Sequence, residues 1–205
     1  MKRITVLCVA LLGILTGLNA QCTITLLNGK TISTADFRYD SVLNLLEYKG
    51  MKGGQQKLRL LDGSEVFSVS NVSNVETVIY KPQDAEQFST FEMRFVVQGE
   101  SAAYKDYKPV WPFLAGFAVG YGSMLMPVNP MLGLCLPIAY NVGISFAKPC
   151  DAYVLKHYPT QASDELFVYG YKQHGKTKIL KRSIFGSVAG IAAGLGTLFV
   201  MSRVN

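Results

Sequence analysis

Charged residues are scarce in this chain, and two long stretches have none. Only 17% of its 205 residues are Asp, Glu, Lys or Arg, whereas soluble domains average about a quarter. No charged residue occurs from Pro109 to Ala147 or from Ser183 to Met201. Because the deficit falls in segments long enough to enter a bilayer, it argues against an ordinary soluble domain and indicates a membrane protein.

Sequence motifs of catalysis are also lacking. His157 and His174 have no metal-ligand partners at helical or loop spacing. The sequence contains no GxSxG, HExxH or P-loop pattern. We therefore expect a protein that is not an enzyme and that uses no metal and no cofactor.

Cysteine is sparse, and its spacing specifies no framework. The four cysteines are Cys8, Cys22, Cys135 and Cys150, and no CxxC pattern occurs. A Cys22–Cys150 disulfide and two unpaired thiols are both compatible with this spacing.

The first 20 residues are predicted to be a signal peptide. Lys2 and Arg3 precede an apolar run from Ile4 to Leu18, and Ala20 supplies a small residue at the expected cleavage site. The mature protein would begin near Gln21. An uncleaved anchor and a lipoprotein joined through Cys22 are the alternatives. The apolar run is short for a span, and Gln21 stands where a lipoprotein needs a small residue.

Residues 21–82 alternate with a period near two and are predicted to form an exported β-module. TITLL and KTIS flank Asn28-Gly29, a strong hairpin signal because both residues tolerate positive φ. SVLNLLEY, KLRLL, EVFSVS and ETVIY are further strand candidates, with a turn expected at KGMKGG. About six short strands of this kind pack naturally as a small β-sandwich or barrel-like unit.

The remainder is predicted to be helical. Residues 83–108 hold a capping-box pattern, Ser89-Thr90-Phe91-Glu92, that begins an amphipathic helix next to the membrane. Residues 109–147 predict a transmembrane helical hairpin with a Pro- and Asn-rich turn at 126–130. A basic polar loop or helix follows at 148–182, and residues 183–201 predict a third transmembrane helix. The expected fold class is thus an α+β membrane protein.

A glycine ladder occurs twice, as AGFAVGYG at 115–122 and AGIAAGLG at 189–196. Its glycines are four apart and therefore lie on one face of each helix. These helix-packing residues are Gly116, Gly120, Gly186, Gly190 and Gly194. Because lipid is as apolar as leucine, close backbone approach drives helix pairing in a bilayer, and glycine permits it. Packing within one chain and assembly between chains are both compatible with the pattern.

The similarity extends upstream of each ladder. Glu92, Phe95-Val96 and Gly99 are followed by a basic stretch and the first ladder. Glu165, Phe167-Val168 and Gly170 are followed in the same order by the second. An ancestral repeat and independent use of a common solution both explain this.

The stretch 109–201 resembles small bacterial envelope proteins with glycine-zipper membrane segments, on the evidence of AGFAVGYG, AGIAAGLG and Gly186. This resemblance implies close helix packing and oligomers, and it supplies no catalytic residue.

Two groups of polar residues are candidates for function. Tyr140 and Asn141 fall inside the predicted hairpin, where polar side chains suggest a functional site or interhelical hydrogen bonding. Basic residues that flank the apolar segments suit anionic lipid headgroups better than nucleic acid. These residues are Lys105, Lys108, Lys178, Lys181 and Arg182.

Topology and function remain expectations. Three full spans place the 148–182 loop on the exported side and the C-terminus inside. A re-entrant hairpin arm reverses both and agrees better with the positive-inside tendency. We expect a non-enzymatic scaffold or accessory subunit in a bacterial envelope membrane, with its β-module on the periplasmic side. Its expected partners are membrane lipids and either a second copy or an envelope protein. The alternative is a small oligomeric channel or transporter subunit.

Overall fold

The computed structural model describes residues 22–52, 55–71, 73, 75–84, 86–126 and 130–204. The predicted signal peptide, 1–20, lies outside the described residues. The chain divides into two compact units, Met1–Thr90 and Phe91–Asn205. The first contains the strands and the second the helices, so the α+β class is confirmed.

The first unit contains two antiparallel sheets. One has the strand order β2-β1-β6-β7, formed by β1 (Cys22–Leu26), β2 (Thr31–Thr34), β6 (Val66–Ser70) and β7 (Glu76–Val78). The other has the order β3-β4-β5, formed by β3 (Phe37–Asp40), β4 (Leu45–Lys52) and β5 (Gln55–Asp62). A short 3₁₀ turn, Gly63–Glu65, leads from the second sheet back to the first.

The Asn28-Gly29 hairpin is confirmed. β1 and β2 pair antiparallel with Ile24 opposite Ile32. Gly29 has a φ of 72°, in the left-handed region that favours glycine. The Asn28 side chain accepts a hydrogen bond from the Lys30 backbone N–H, which helps to close the turn.

The hydrophobic core of this unit draws on both sheets. Its buried residues come in pairs from β1, β4 and β6 and are Ile24, Leu26, Leu46, Tyr48, Val66 and Val69. Burial alternates along β1, so one face of the strand enters the core and the other is half-buried.

The predicted strands differ from the observed ones around residue 40. SVLNLLEY was expected to be a single strand, but residues 41–44 form a turn and β4 begins at Leu45. Asp40 accepts hydrogen bonds from the backbone N–H groups of Val42 and Leu43, which favours a turn over extension. β3 was not predicted, and the expected turn at KGMKGG is strand as far as Lys52.

The second unit contains five α-helices in the described residues. They are α1 (Thr90–Asp106), α2 (Trp111–Leu125), α3 (Pro130–Ile144), α4 (Asp151–His157) and α5 (Glu165–Val204). The helix predicted after the capping-box pattern is therefore present. Residues 165–201 were divided between a polar segment and a third span, yet they all belong to the continuous helix α5, which has 40 residues.

The direction of the helices follows from which residues lie side by side. α2 runs parallel to α5, because Gly116 adjoins Ser183 and Gly120 adjoins Ser187. α1 does the same, since Gly99 adjoins Phe167 and the Tyr104 ring contacts the His174 ring. α3 returns antiparallel, because Gly133 adjoins Ser123 near the end of α2, whereas Asn141 bonds to Ser183 beside Gly116. The hairpin therefore brings the chain back to the level at which α2 began.

Among the described residues, one helix is long and apolar enough to cross a membrane by length and composition. It is α5, over Glu165–Arg203. α2 and α3 have 15 residues each, fewer than the approximately 20 that a span needs. The structure thus offers one candidate span and a shorter antiparallel hairpin beside it.

Candidate functional site

Glycines bring α2 and α5 into backbone contact. A Cβ atom on Gly116 would overlap the Ser183 carbonyl oxygen, and one on Gly120 would overlap that of Ser187. From the other helix, a Cβ on Gly190 would overlap the Phe117 carbonyl oxygen. The two faces interlock, since each helix supplies glycines that receive the backbone of the other.

The remaining ladder glycines continue this contact in both directions along α5. Gly186 lies against the Phe113 carbonyl group, and a Cβ on Gly194 would stand 2.6 Å from the Met124 Cβ. All five glycines selected from the sequence therefore lie at one helix–helix contact within a single chain. Glycines outside the ladders behave differently: a Cβ on Gly122 or Gly196 would meet nothing within 4 Å.

The same arrangement recurs between α1 and the first half of α5. A Cβ on Gly99 would overlap the Phe167 carbonyl oxygen, and one on Gly170 would overlap the Val96 carbonyl oxygen. These two glycines were noted only as part of the upstream similarity. The two similar segments thus pack against each other, with a glycine of each lying against the backbone of the other.

Asn141 is the centre of a hydrogen-bond network between α3 and α5. Its Oδ1 accepts from the Ser183 hydroxyl at 2.6 Å. Its Nδ2 donates to the Ser187 hydroxyl oxygen at 3.0 Å and to the Pro137 carbonyl oxygen at 2.7 Å. Ser183 and Ser187 are 0% and 3% exposed. Every polar atom of the Asn141 amide group is therefore bonded.

The Asn141 network also meets the glycine contact. A Cβ on Gly116 would stand 3.2 Å from the Ser187 hydroxyl oxygen, so the absence of a side chain there leaves room for the serine. All three helices therefore converge at this level. Sequence reasoning selected Asn141 but missed both serines, although their spacing of four in the charge-free segment 183–201 was a usable signal.

Tyr140, the other predicted polar residue, does not join the network. Its hydroxyl is buried and has no hydrogen-bond partner among the described residues. The network itself contains amide and hydroxyl groups only. Since none of these titrates near neutral pH, the chemistry available to it is hydrogen bonding between helices.

Lys178 occupies a position that differs from its predicted role. Its ammonium group donates to the carbonyl oxygens of Ala103, Tyr104 and Tyr107 at 3.0, 2.6 and 3.1 Å. It also lies 5.2 Å from the centre of the Tyr104 ring. A cation at the C-terminal end of α1 interacts favourably with the helix dipole, and the Ala103 carbonyl oxygen also accepts from the Tyr107 backbone N–H. Partial burial lowers the pKa of Lys178, with Arg182 and Lys108 adding to the effect.

The other predicted headgroup residues are more accessible and remain available for contact with lipid. Lys105, Lys108 and Lys181 are exposed, and Arg182 is half-buried. Because Lys178 contacts the end of α1, the basic residues of α1 and α5 lie at one level of the unit, just before the charge-free segments begin.

An aromatic core holds α1, α4 and the first half of α5 together. Tyr107, Tyr153, Tyr158 and Phe167 surround Tyr171, with ring centroids 5.4–6.5 Å apart. Tyr158 donates a hydrogen bond to Asp106. Burial first, and then Asp106, raises the pKa of Tyr158 to about 12. Burial also raises the pKa of Tyr171, whose hydroxyl is buried without a partner among the described residues. The rings fill this space themselves, so the cluster serves as a core.

Large apolar side chains lie exposed on α2, α3 and the Ser183–Met201 part of α5, and we call these residues the apolar belt. Typical members are Leu114 at 60%, Ile138 at 64%, Phe185 at 72% and Phe199 at 59% exposure. Only 22% of the most apolar window of α5 is buried within the protein. A helix buried in a soluble core would have these side chains covered.

Ligand chemistry other than hydrogen bonding is limited in the described residues. They contain no group of three or more His, Cys, Asp or Glu side chains placed to hold a metal ion. Cys22 is buried at the start of β1, and Cys22 and Cys150 are both thiols rather than partners in a disulfide.

Comparison with known protein families, with curated proteins and with solved structures finds no match to this chain.

Proposed function

We propose that this protein is an integral membrane scaffold of the bacterial cell envelope. Its helical unit anchors the chain in the bilayer, and its β-unit is an interaction module on the periplasmic side. The apolar belt is the observation that carries this proposal.

The belt has the composition and height that a bilayer requires. Residues 183–201 carry no charge and rise about 28 Å as a helix, close to the hydrocarbon thickness of about 30 Å. The contiguous exposure of large apolar side chains on three neighbouring helices is unfavourable in water. A lipid environment removes that cost, because it covers these side chains without requiring a protein partner.

The charges that flank the belt also support a helical unit placed across the bilayer. Lys105, Lys108, Lys181 and Arg182 precede the charge-free segments, and Arg203 follows the last of them. Basic side chains at such boundaries interact with lipid phosphates. The short hairpin of α2 and α3 would enter from the basic side and return to it.

The glycine contacts support an anchor that is complete within one chain. The ladder faces of α2 and α5 are already filled by each other. Association with a partner would therefore use another surface, and the β-unit is the natural one. Assembly between chains through the ladders, one of the two possibilities that the sequence left open, is not needed to explain the regular spacing of their glycines.

A channel is the second candidate from the sequence, and the helix geometry favours it less. α2 and α5 approach to backbone contact, which leaves no lumen between them. Ion flux through liposomes that contain the purified protein separates the two functions. We expect no flux above that of empty liposomes, and a conductance would favour the channel.

Membrane integration is tested by placing one charge in the belt. Leu195 on α5 and Leu155 on α4 are 53% and 58% exposed, but only Leu195 lies in the belt. A charged residue near the centre of a span costs about 3 kcal/mol. We expect the wild-type chain and Leu155→Asp to remain in the membrane pellet after alkaline carbonate extraction, and Leu195→Asp to be released or degraded. A wild-type chain that is folded and monomeric without detergent would rule the proposal out.

A further inference from the structure

The edge strand β5 is the part of the β-unit that is best suited to bind another protein. β5 is one of the two edges of the β3-β4-β5 sheet, and among the described residues no strand pairs with its outer side. An edge strand presents a row of unpaired backbone N–H and C=O groups. These groups can bind an added strand through main-chain hydrogen bonds.

The edge strand β5 exposes two leucine side chains on its outer face. Leu61 lies opposite Leu46 and packs against the core, so the alternate residues Leu58 and Leu60 point to the outer face. They are 65% and 60% exposed. Their neighbours across the sheet, Lys49 and Glu47, are charged and offer them no apolar cover.

The other face of β5 near the edge is basic. Lys57 and Arg59 share this face and are exposed, and the stem of Arg59 lies over Gly50. Neither residue forms an ion pair among the described residues. Asp62, the acidic residue on the strand, is engaged elsewhere, because its carboxylate accepts a hydrogen bond from the Ser64 N–H at 2.8 Å.

The charge pattern selects the kind of partner. If a second copy added its own β5 with the leucines on the same face, Lys57 and Arg59 would meet Lys57 and Arg59 of that copy. Like charges on opposed strands are destabilising. A strand that carries acidic residues on this face and apolar residues on the other satisfies both rows of side chains at once.

We propose that β5 is a strand-addition site for an extended segment of another protein in which acidic and apolar residues alternate. The acidic residues face Lys57 and Arg59, and the apolar residues cover Leu58 and Leu60. The inference rests on the proposed function, since it assigns a docking surface to the interaction module of the scaffold.

The test uses the full chain in detergent micelles and a blocked hexapeptide in which glutamate and valine alternate. We expect the backbone amide signals of residues 56–61 to shift on titration and to gain protection from hydrogen exchange. A peptide of the same sequence with N-methyl groups on alternate residues should not bind, because it lacks the required donors. Shifts confined to other strands, or equal binding of the methylated peptide, would overturn the proposal.

Charge reversal supplies the matched comparison. In Lys57→Glu/Arg59→Glu we expect binding of the glutamate–valine peptide to weaken at least tenfold and a lysine–valine peptide to bind in its place. Recovery with the second peptide also shows that the variant is folded. Lys30→Glu/Lys81→Glu changes the net charge equally at exposed loop positions and should leave the affinity unchanged. Equal weakening in both double variants would mean non-specific attraction and would overturn the proposal.

A lipid surface is the competing ligand for a basic and apolar strand. If the β5 signals respond when phosphatidylglycerol replaces phosphatidylcholine in a nanodisc, and do not respond to peptide, the edge is a lipid contact and the proposal is wrong. Carbonate extraction of the charge-reversed variant should be the same as that of the wild type in every case. Failure at β5 is thereby distinguishable from failure of the membrane proposal.

Discussion

At the scale of single residues, the position of a glycine matters more than its presence. Gly190 and Gly196 are both in the second ladder segment, AGIAAGLG. A side chain at Gly190 would overlap the Phe117 carbonyl oxygen, whereas one at Gly196 would enter open space. The α2–α5 contact therefore depends on the glycines of one helix face, and the other glycine is replaceable.

Substitution of these two glycines by leucine tests that distinction. Gly190→Leu should lower the stability of the helical unit by about 2 kcal/mol or more, because an overpacked contact must separate. Gly196→Leu should be neutral or stabilising by up to about 1 kcal/mol, since leucine has the higher helix propensity. Thermal unfolding of both variants in detergent measures the difference. Equal melting temperatures would contradict the assigned contact face.

At the scale of elements, α3 is attached to α5 by polar bonds that the sequence alone did not reveal. Asn141 bonds to Ser183 and Ser187, which are 42 and 46 residues away. Pro137 has no backbone N–H, so α3 lacks one of its internal hydrogen bonds. A fully bonded polar group in an apolar setting fixes which faces of two helices meet.

A double-mutant cycle on Asn141 and Ser183 tests this attachment. Asn141→Val leaves the fully buried Ser183 hydroxyl without its partner, and we expect a loss of about 1–2 kcal/mol. Adding Ser183→Ala to the same chain should restore part of the lost stability, with a coupling energy of about 0.6 kcal/mol or more between the two positions. The Ser145 hydroxyl, one residue past the end of α3, donates to the Val142 carbonyl oxygen of that helix and to no residue of α5 that the structure describes. Ser145→Ala is therefore the control, and strictly additive losses at positions 141 and 183 would contradict the pairing.

At the scale of the whole molecule, the antiparallel hairpin predicts, for the membrane anchor proposed above, on which side each polar segment lies. α2 and α3 start and finish at the level where α5 loses its charges. Residues 148–182 would then remain on the side from which the chain entered, and only the C-terminus would cross.

Cysteine labelling in sealed vesicles measures this topology. In a chain whose native cysteines are replaced by serine, we expect Ser41→Cys and Ser163→Cys to react with an impermeant reagent from the same side. Ser202→Cys should react from the opposite side. Reaction of the first two positions from different sides would instead support the re-entrant arrangement and would contradict the hairpin described above.

Local patterns predicted the features that depend on neighbouring residues. The Asn28-Gly29 turn, the helix after Ser89 and the glycine face of each ladder could be read from the sequence, because turn chemistry and helical periodicity act over a few residues. β3 could not be predicted, since Phe37–Asp40 has a pattern too short to distinguish from a loop. The continuous α5 was divided at the polar residues before Ser183, because a change in polarity does not end a helix.

The sequence by itself determined where this chain is apolar, where it turns and which helix faces are lined by glycine, since each of these is a property of a short segment. Only the tertiary structure decided which faces meet. It paired α1 and α2 with α5 across some 70 residues and placed Lys178 on the end of α1. It also left the outer side of β5 without a neighbouring strand from the part of the chain that it describes. Contacts of this kind join segments that are distant in the chain, and no local pattern specifies their partners.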